Sequence, residues 1–329
     1  MKIETTDSAY AYCQQVCRNA STTFFSSFST LEIEKRRAVH AVYALCRWVD
    51  DIVDGDQEPD VTMTEDVVAQ SKKRDELLRE IHSGSEPSNP EQVHMKRLMA
   101  LVAIRNDLKR ASVGQITADD HPVFIALQDV FRNYSIRMQD FETVIEGMED
   151  DLFSVKYNTW DDLRSYCYKV ASAVGLILIE IYGYDDRAAR LHAIDLGIQM
   201  QLINVLRDVS EDLERGRIYL PIGVLNAHNI DVTDLAEPSL AQNPSWNAFV
   251  KEYLGVVKRH QTSAMHLFGY LDSRSRVQPK IMLNAYSIIF NEIIRRSGDV
   301  LTAPLKLSIR SKLLLWVKIN FMKLKARLA

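Results

Sequence analysis

Gln201-Leu-Ile-Asn-Val-Leu-Arg-Asp-Val-Ser-Glu-Asp212 and, about 150 residues earlier, Tyr43-Ala-Leu-Cys-Arg-Trp-Val-Asp-Asp-Ile-Val-Asp54 both space carboxylates four residues apart within apolar runs. On a helix rising ~1.5 Å per residue, an i,i+4 pair shares one face with its carboxylates ~6 Å apart. Asp50 and Asp54 therefore point one way, and Asn204, Asp208 and Asp212 form a three-oxygen ladder on a second helix. An acidic helix edge taken alone is usually a solvated face. Here Trp48, Val49, Ile52 and Val53 flank the first set and Val205, Leu206 and Val209 the second. Unpaired buried carboxylates are costly, and divalent cations commonly compensate them. Carboxylate and amide oxygens without His or Cys select a hard cation such as Mg²⁺ over zinc or copper. Two such faces opposed across a helical bundle would hold several Mg²⁺ ions, and those ions a diphosphate. Arg47, Arg207 and Arg217 accompany the acids. Their guanidinium forks suit phosphate oxygens, and ion pairing with the neighbouring acids is the alternative role.

Working outward, the rest of the chain reads as helix. Its 12 glycines and 9 prolines gather at breaks such as 83–90, 119–122, 182–186 and 236–244. Helical periodicity runs over 31–53, 95–110, 161–182, 187–212 and 246–271, and alternating strand patterns are missing. The 329 residues are 47% apolar, enough for a core, and a net charge of −4 gives no reason to expect nucleic acid as a partner. Of the four cysteines, Cys46 and Cys167 fall in apolar runs and read as buried free thiols, which suits a cytoplasmic location. No signal peptide and no spanning helix are expected, and no P-loop or Gly-rich dinucleotide motif is present. The fold expected is all-α: one bundle over residues 1–304, with a central apolar cavity.

After Asp299 the sequence carries no acid, while Lys306, Arg310, Lys312, Lys318, Lys323, Lys325 and Arg327 interleave with apolar and aromatic residues. Residues 305–329 read as a basic amphipathic helix. It would touch the inner face of a membrane peripherally, or pack on the core with a solvated basic edge.

Five motifs in order carry a resemblance: Ser21-Thr-Thr-Phe24, Tyr43 to Asp54, Gly147-Met-Glu-Asp-Asp-Leu152, Tyr166-Cys-Tyr-Lys-Val-Ala-Ser-Ala-Val-Gly175, and Gln201 to Asp212 followed by Arg217-Ile-Tyr-Leu-Pro221. From about residue 8 to about 300 the chain resembles the squalene/phytoene synthases, prenyltransferases of the isoprenoid-synthase fold. A second D-D-x-x-D of head-to-tail enzymes is absent near 201–212, and the residue types there differ from those of terpene cyclases. Asp-Asp-Ile-Val-Asp, in place of the Asp-Thr-Leu-Glu-Asp of eukaryotic squalene synthases, favours the bacterial and carotenoid-type branch.

The resemblance implies that Asp50 and Asp54 hold Mg²⁺ on one diphosphate, and Asn204, Asp208 and Asp212 hold it on the other. Ser21, Arg47, Gln201 and Arg207 would contact diphosphates or their metal shell, Phe24 would line the prenyl channel, and Tyr166 would sit near the reacting carbons. Without the motif, Tyr166 would read as a core tyrosine. The implied reaction is head-to-head condensation of two farnesyl or geranylgeranyl diphosphates through a cyclopropyl diphosphate. Phytoene or its thirty-carbon analogue is the expected product. Presqualene diphosphate or squalene is the alternative, with NADPH needed only for squalene. A non-catalytic lipid-binding subunit on a membrane surface is the alternative of another class.

Overall fold

The computed structural model describes residues 2–20, 22–59, 61–303 and 305. Ser21 and residues 306–329, hence nearly all of the basic tail, lie outside the described residues. The structure is about 73% helical, and among the described residues β-structure is limited to two isolated bridges. Helix starts carry their own chemistry. Pro122 and Pro244 open helices rather than ending them, because proline's missing N–H is no loss in a first turn. Thr159 and Asp162 form a reciprocal capping box.

The described helices form two compact units. The first comprises Met1–Ser154 and Ile177–Gly183. It holds α1 (Lys2–Ala20), α2 (Thr22–Phe28), α3 (Ile33–Asp54), α4 (Glu65–Ile81), α5 (Glu91–Ser112), α6 (Pro122–Asn133) and α7 (Met138–Asp150). Helix α3 is its axis, packing on α1, α6 and α7 through Ala38, Val39, Ala41, Val42 and Leu45, all buried. Glu149 of α7 has no solvent exposure and accepts from both Arg74 (2.5 Å at Nη2) and Arg105 (3.0 Å at Nη2). These bonds tie α7 to α4 and α5.

The second unit comprises Val155–Leu176 and Tyr184–Ala329. Its first helix, α8 (Trp160–Cys167), runs into a π-helical turn, Tyr168–Ser172, and then into α9 (Ala173–Tyr182). The helix expected over 161–182 is thus widened for one turn beginning at Tyr168, two residues after Tyr166, a device often found at functional sites. The stretch Trp160–Tyr182 has the length and hydropathy of a spanning helix, but about half of its apolar window is buried in the protein. Then follow α10 (Ala189–Arg207), α11 (Val209–Glu214), α12 (Ile222–Ala227), two 3₁₀ turns, α13 (Pro244–Ala264), α14 (Leu267–Tyr270) and α15 (Val277–Arg295). The central helix is α10, packed on α13, α15 and the π turn. Gly197 makes that approach feasible: a Cβ there would lie 2.6 Å from Ser172 Cα, while Ser172 Oγ donates to the Ile194 carbonyl at 2.7 Å.

Cys13, Cys17 and Cys167 are buried; Cys46 is half-buried, and all four are free thiols.

Gly197→Ala is expected to lower stability by about 1–3 kcal/mol, since backbone stands where the methyl must go. Gly255→Ala, on α13 with nothing near its Cβ position, is expected to be neutral or stabilising by up to about 1 kcal/mol. Urea midpoints at unchanged m-value would check both.

Candidate active site

The first acid set sits at the end of α3. Trp48, Val49, Ile52 and Val53 are buried, as their spacing predicts, and Asp50, Asp51 and Asp54 emerge half-buried between them. The helix stops at Gly55, whose φ of 82° lets its N–H reach the carbonyls of Asp51 and Ile52. Any side chain there would also collide with Arg97, which donates to the Val53 carbonyl at 2.7 Å. Three carboxylates therefore lie in the last turns of a helix, where the backbone dipole already carries negative charge and disfavours them. Arg47 partly answers this, pairing with Asp50 at 3.2 Å, with Asp51, and more distantly with Asp56 at 3.8 Å. Burial still raises the Asp51 carboxyl above its ordinary range, with Asp56 and Asp54 adding to the rise against Arg47.

Phe24 belongs to an aromatic wall in the same unit, 5.8 Å from the Tyr43 ring and 6.2 Å from Phe28 between centroids. His40 completes the wall against Phe25 and Phe28, and burial, helped by Arg36, pushes its imidazole down to about 4. The wall is uncharged at neutral pH.

In the second unit α10 supplies Gln201, Asn204 and Arg207, and the expected continuous helix over 187–212 breaks at Asp208 (φ −102°, ψ 13°). Adjacent residues on a regular helix do not face each other. The break accompanies a two-pronged ion pair between neighbours, Arg207 Nε to Asp208 Oδ1 at 2.6 Å and Nη2 to Oδ2 at 2.5 Å. The ladder's backbone nevertheless keeps its four-residue period, since Asp208 N–H donates to Asn204 O and Asp212 N–H to Asp208 O, each at 2.9 Å. Burial opposes the Arg207 charge, but Asp208 outweighs it and holds the guanidinium above its usual value.

Asn204 Nδ2 donates to Gln201 Oε1 at 3.2 Å, and Tyr286 of α15 stands close to the same amide. The side-chain amide oxygen Oδ1 of Asn204 is buried and has no hydrogen-bond partner among the described residues. Such an orphan acceptor costs stability unless something electropositive reaches it. Asp212 lines a small cavity with Arg217 and Tyr219. Beside it Tyr166, 5% exposed, stacks on Tyr219 (centroids 4.7 Å, 22°) and leans on Tyr157 (5.3 Å).

Among the described residues no three His, Cys, Asp or Glu side chains converge on one cation position. Mg²⁺ prefers oxygen donors and completes its shell with waters and phosphate oxygens. The oxygen-only donor sets, with the orphan Asn204 Oδ1, fit that ion.

Sequence reasoning did not single out Tyr157, Tyr219 or Tyr286. Tyr219 lies in the quoted Arg217-Ile-Tyr-Leu-Pro221 motif, so a signal was present for it; Tyr157 and Tyr286 reach the site only through packing.

A family model described as squalene/phytoene synthase matches residues 17–311. A 15-cis-phytoene synthase of Synechococcus elongatus is 30% identical over 89% of this chain and 86% of its own length. A phytoene synthase of Arthrospira platensis is 29% identical over 90% of this chain and 87% of its own. Among solved structures, a ligand-bound dehydrosqualene synthase superposes with a TM-score of 0.76 at 24% identity, covering 98% of both chains. A squalene synthase from Alicyclobacillus acidocaldarius follows at 0.71 and 22%, over 90% of this chain and 98% of its own. At those identities the structural likeness speaks for the fold.

Tyr286→Phe is expected to leave the helical content unchanged and to weaken Mg²⁺–diphosphate binding about 10-fold to 100-fold, as for other residues that orient a metal ligand. The thermal shift produced by Mg²⁺ with inorganic diphosphate measures it; a wild-type shift in the variant would remove Tyr286 from the site.

Proposed function

The chain belongs to the squalene/phytoene synthase family, prenyltransferases that join two prenyl diphosphates head to head, and we propose that its product is phytoene or the thirty-carbon analogue, formed without reductant. The observation that carries the product reading is the run of relatives named phytoene synthase at 29–30% identity along about nine-tenths of the chain.

In this reading Asp50 and Asp54 hold Mg²⁺ for one diphosphate, and Asn204, Asp208 and Asp212 hold it for the other. Bound Mg²⁺ supplies Lewis-acid stabilisation of the departing diphosphate. Arg47 and Arg207, already positioned on the carboxylates, present forks that match phosphate oxygens. Gln201 steadies Asn204 through their hydrogen bond. Ser21 keeps its assigned diphosphate contact by sequence alone. An allylic cation formed when diphosphate leaves needs electron-rich, dry surroundings. The face of Tyr166, backed by Tyr219 and Tyr157, offers a negative quadrupole to that charge. Of the apolar side chains that would keep water from quenching the cation, Val170, Ala171, Val174 and Leu178 are half-buried, while Leu176 is buried. Phe24 and its aromatic neighbours provide a similar wall for a prenyl chain.

Incubation with Mg²⁺ and farnesyl or geranylgeranyl diphosphate, with and without NADPH, tests the proposal through the identity of the extracted lipid. Phytoene or dehydrosqualene without NADPH is expected, and the substrate consumed sets the chain length. Presqualene diphosphate, or squalene only with NADPH, would overturn the product assignment and move the enzyme to the sterol and hopanoid branch. No product from either substrate would favour a non-catalytic lipid-binding subunit. Asp54→Ala and Asp212→Ala are each expected to lower turnover about 100-fold or more without a change in circular dichroism.

A further inference from the structure

On the surface of the second unit, α13 and α15 flank a groove of about 590 Å³, in the size range of small-molecule sites. Leu254 lines it from α13, Phe290 and Ile294 from α15, and Ile294 is 50% exposed. Gly255 forms part of the floor, and a Cβ there would meet no heavy atom within 4 Å, so the groove is open at its base. Two charges stand on its rim. Lys251 and Lys258, seven residues apart and hence on one helix face, are both exposed, and among the described residues neither takes part in an ion pair. The nearby acids are engaged elsewhere: Glu252 accepts from the Trp160 indole at 3.1 Å and pairs with His228, and Glu292 is held by Arg295 and Arg296.

An apolar trough with two uncompensated cations fits a ligand that is apolar along its length and anionic at one end. The chain's own tail does not supply that charge, because the sequence after Asp299 carries seven basic residues and no acid. We propose that this groove seats an acyl chain of an anionic phospholipid, with the headgroup phosphate between Lys251 and Lys258, and so holds this face of the protein to a membrane surface. The lysines supply the attraction to an anionic leaflet, and Leu254, Phe290 and Ile294 supply the apolar contact. The proposal does not rest on the identity of the reaction product.

The test is partitioning of the full-length protein onto vesicles of phosphatidylcholine alone and of phosphatidylcholine with phosphatidylglycerol. Wild type is expected to prefer the anionic vesicles. Lys251→Gln/Lys258→Gln is expected to lower that binding about 30-fold, the effect of two interfacial lysines. Gly255→Leu fills the floor with a better helix former, so a severalfold loss of vesicle binding by this variant reports a plugged groove and not unfolding. Circular dichroism confirms that both variants are folded. Unchanged partitioning in either variant overturns the proposal. So does concentration-dependent self-association of wild type that Gly255→Leu abolishes, which would make the groove an interface between copies.

Discussion

The first acid set stands where a helix is least hospitable to it. Asp50, Asp51 and Asp54 occupy the last turns of α3, whereas Asp208 closes α10 and also caps α11, whose first turn holds Asp212. Carbonyl dipoles at the end of α3 already present partial negative charge, so each of its carboxylates is disfavoured by about 0.3–1 kcal/mol, more where water is excluded, while the start of α11 favours Asp212. Positions that concentrate like charge in this way call for cations. In each set an arginine answers first, Arg47 on α3 and Arg207 on α10. Each arginine offsets part of the charge of its set and leaves oxygen donors for a metal. Asn204 Oδ1, buried and without a hydrogen-bond partner among the described residues, marks the point where protein groups alone do not complete the balance.

Placing charges against a dipole requires rigid support, and each unit supplies its own. In the first, Glu149 is buried between two guanidiniums. Leaving such a charge unpaired costs about 3–5 kcal/mol, so the arrangement holds α4, α5 and α7 to one geometry. In the second, Gly197 and Ser172 bring α10 and the π turn to backbone contact. That turn begins at Tyr168, two residues after Tyr166, whose ring stacks on Tyr219. Tyr286 of α15 stands close to Asn204, so the surroundings of the ladder come from more than one helix. The candidate ligands thus lie near helix ends, with an aromatic cluster at Tyr166 and half-covered apolar side chains in the turns that follow it.

The helical architecture and most of the candidate ligands were legible in the sequence. A 3.6-residue period places Trp48, Val49, Ile52 and Val53 inside and leaves Asp50 and Asp54 at a surface, and a local rule of that kind needs no knowledge of partners. The prolines read as breaks at 122 and 244 prove to open α6 and α13, and α6 was not among the stretches whose period read as helix. The family, too, was recognisable from motif order. Tertiary structure alone decided the break at Asp208, the π turn beginning at Tyr168, and the stacking of Tyr166 on Tyr219. Each depends on groups that periodicity does not relate: neighbours forced to face one another, backbones brought together by a glycine, or side chains from helices distant in sequence. The chain's local chemistry determined which residues face where; the packing determined what each of them meets.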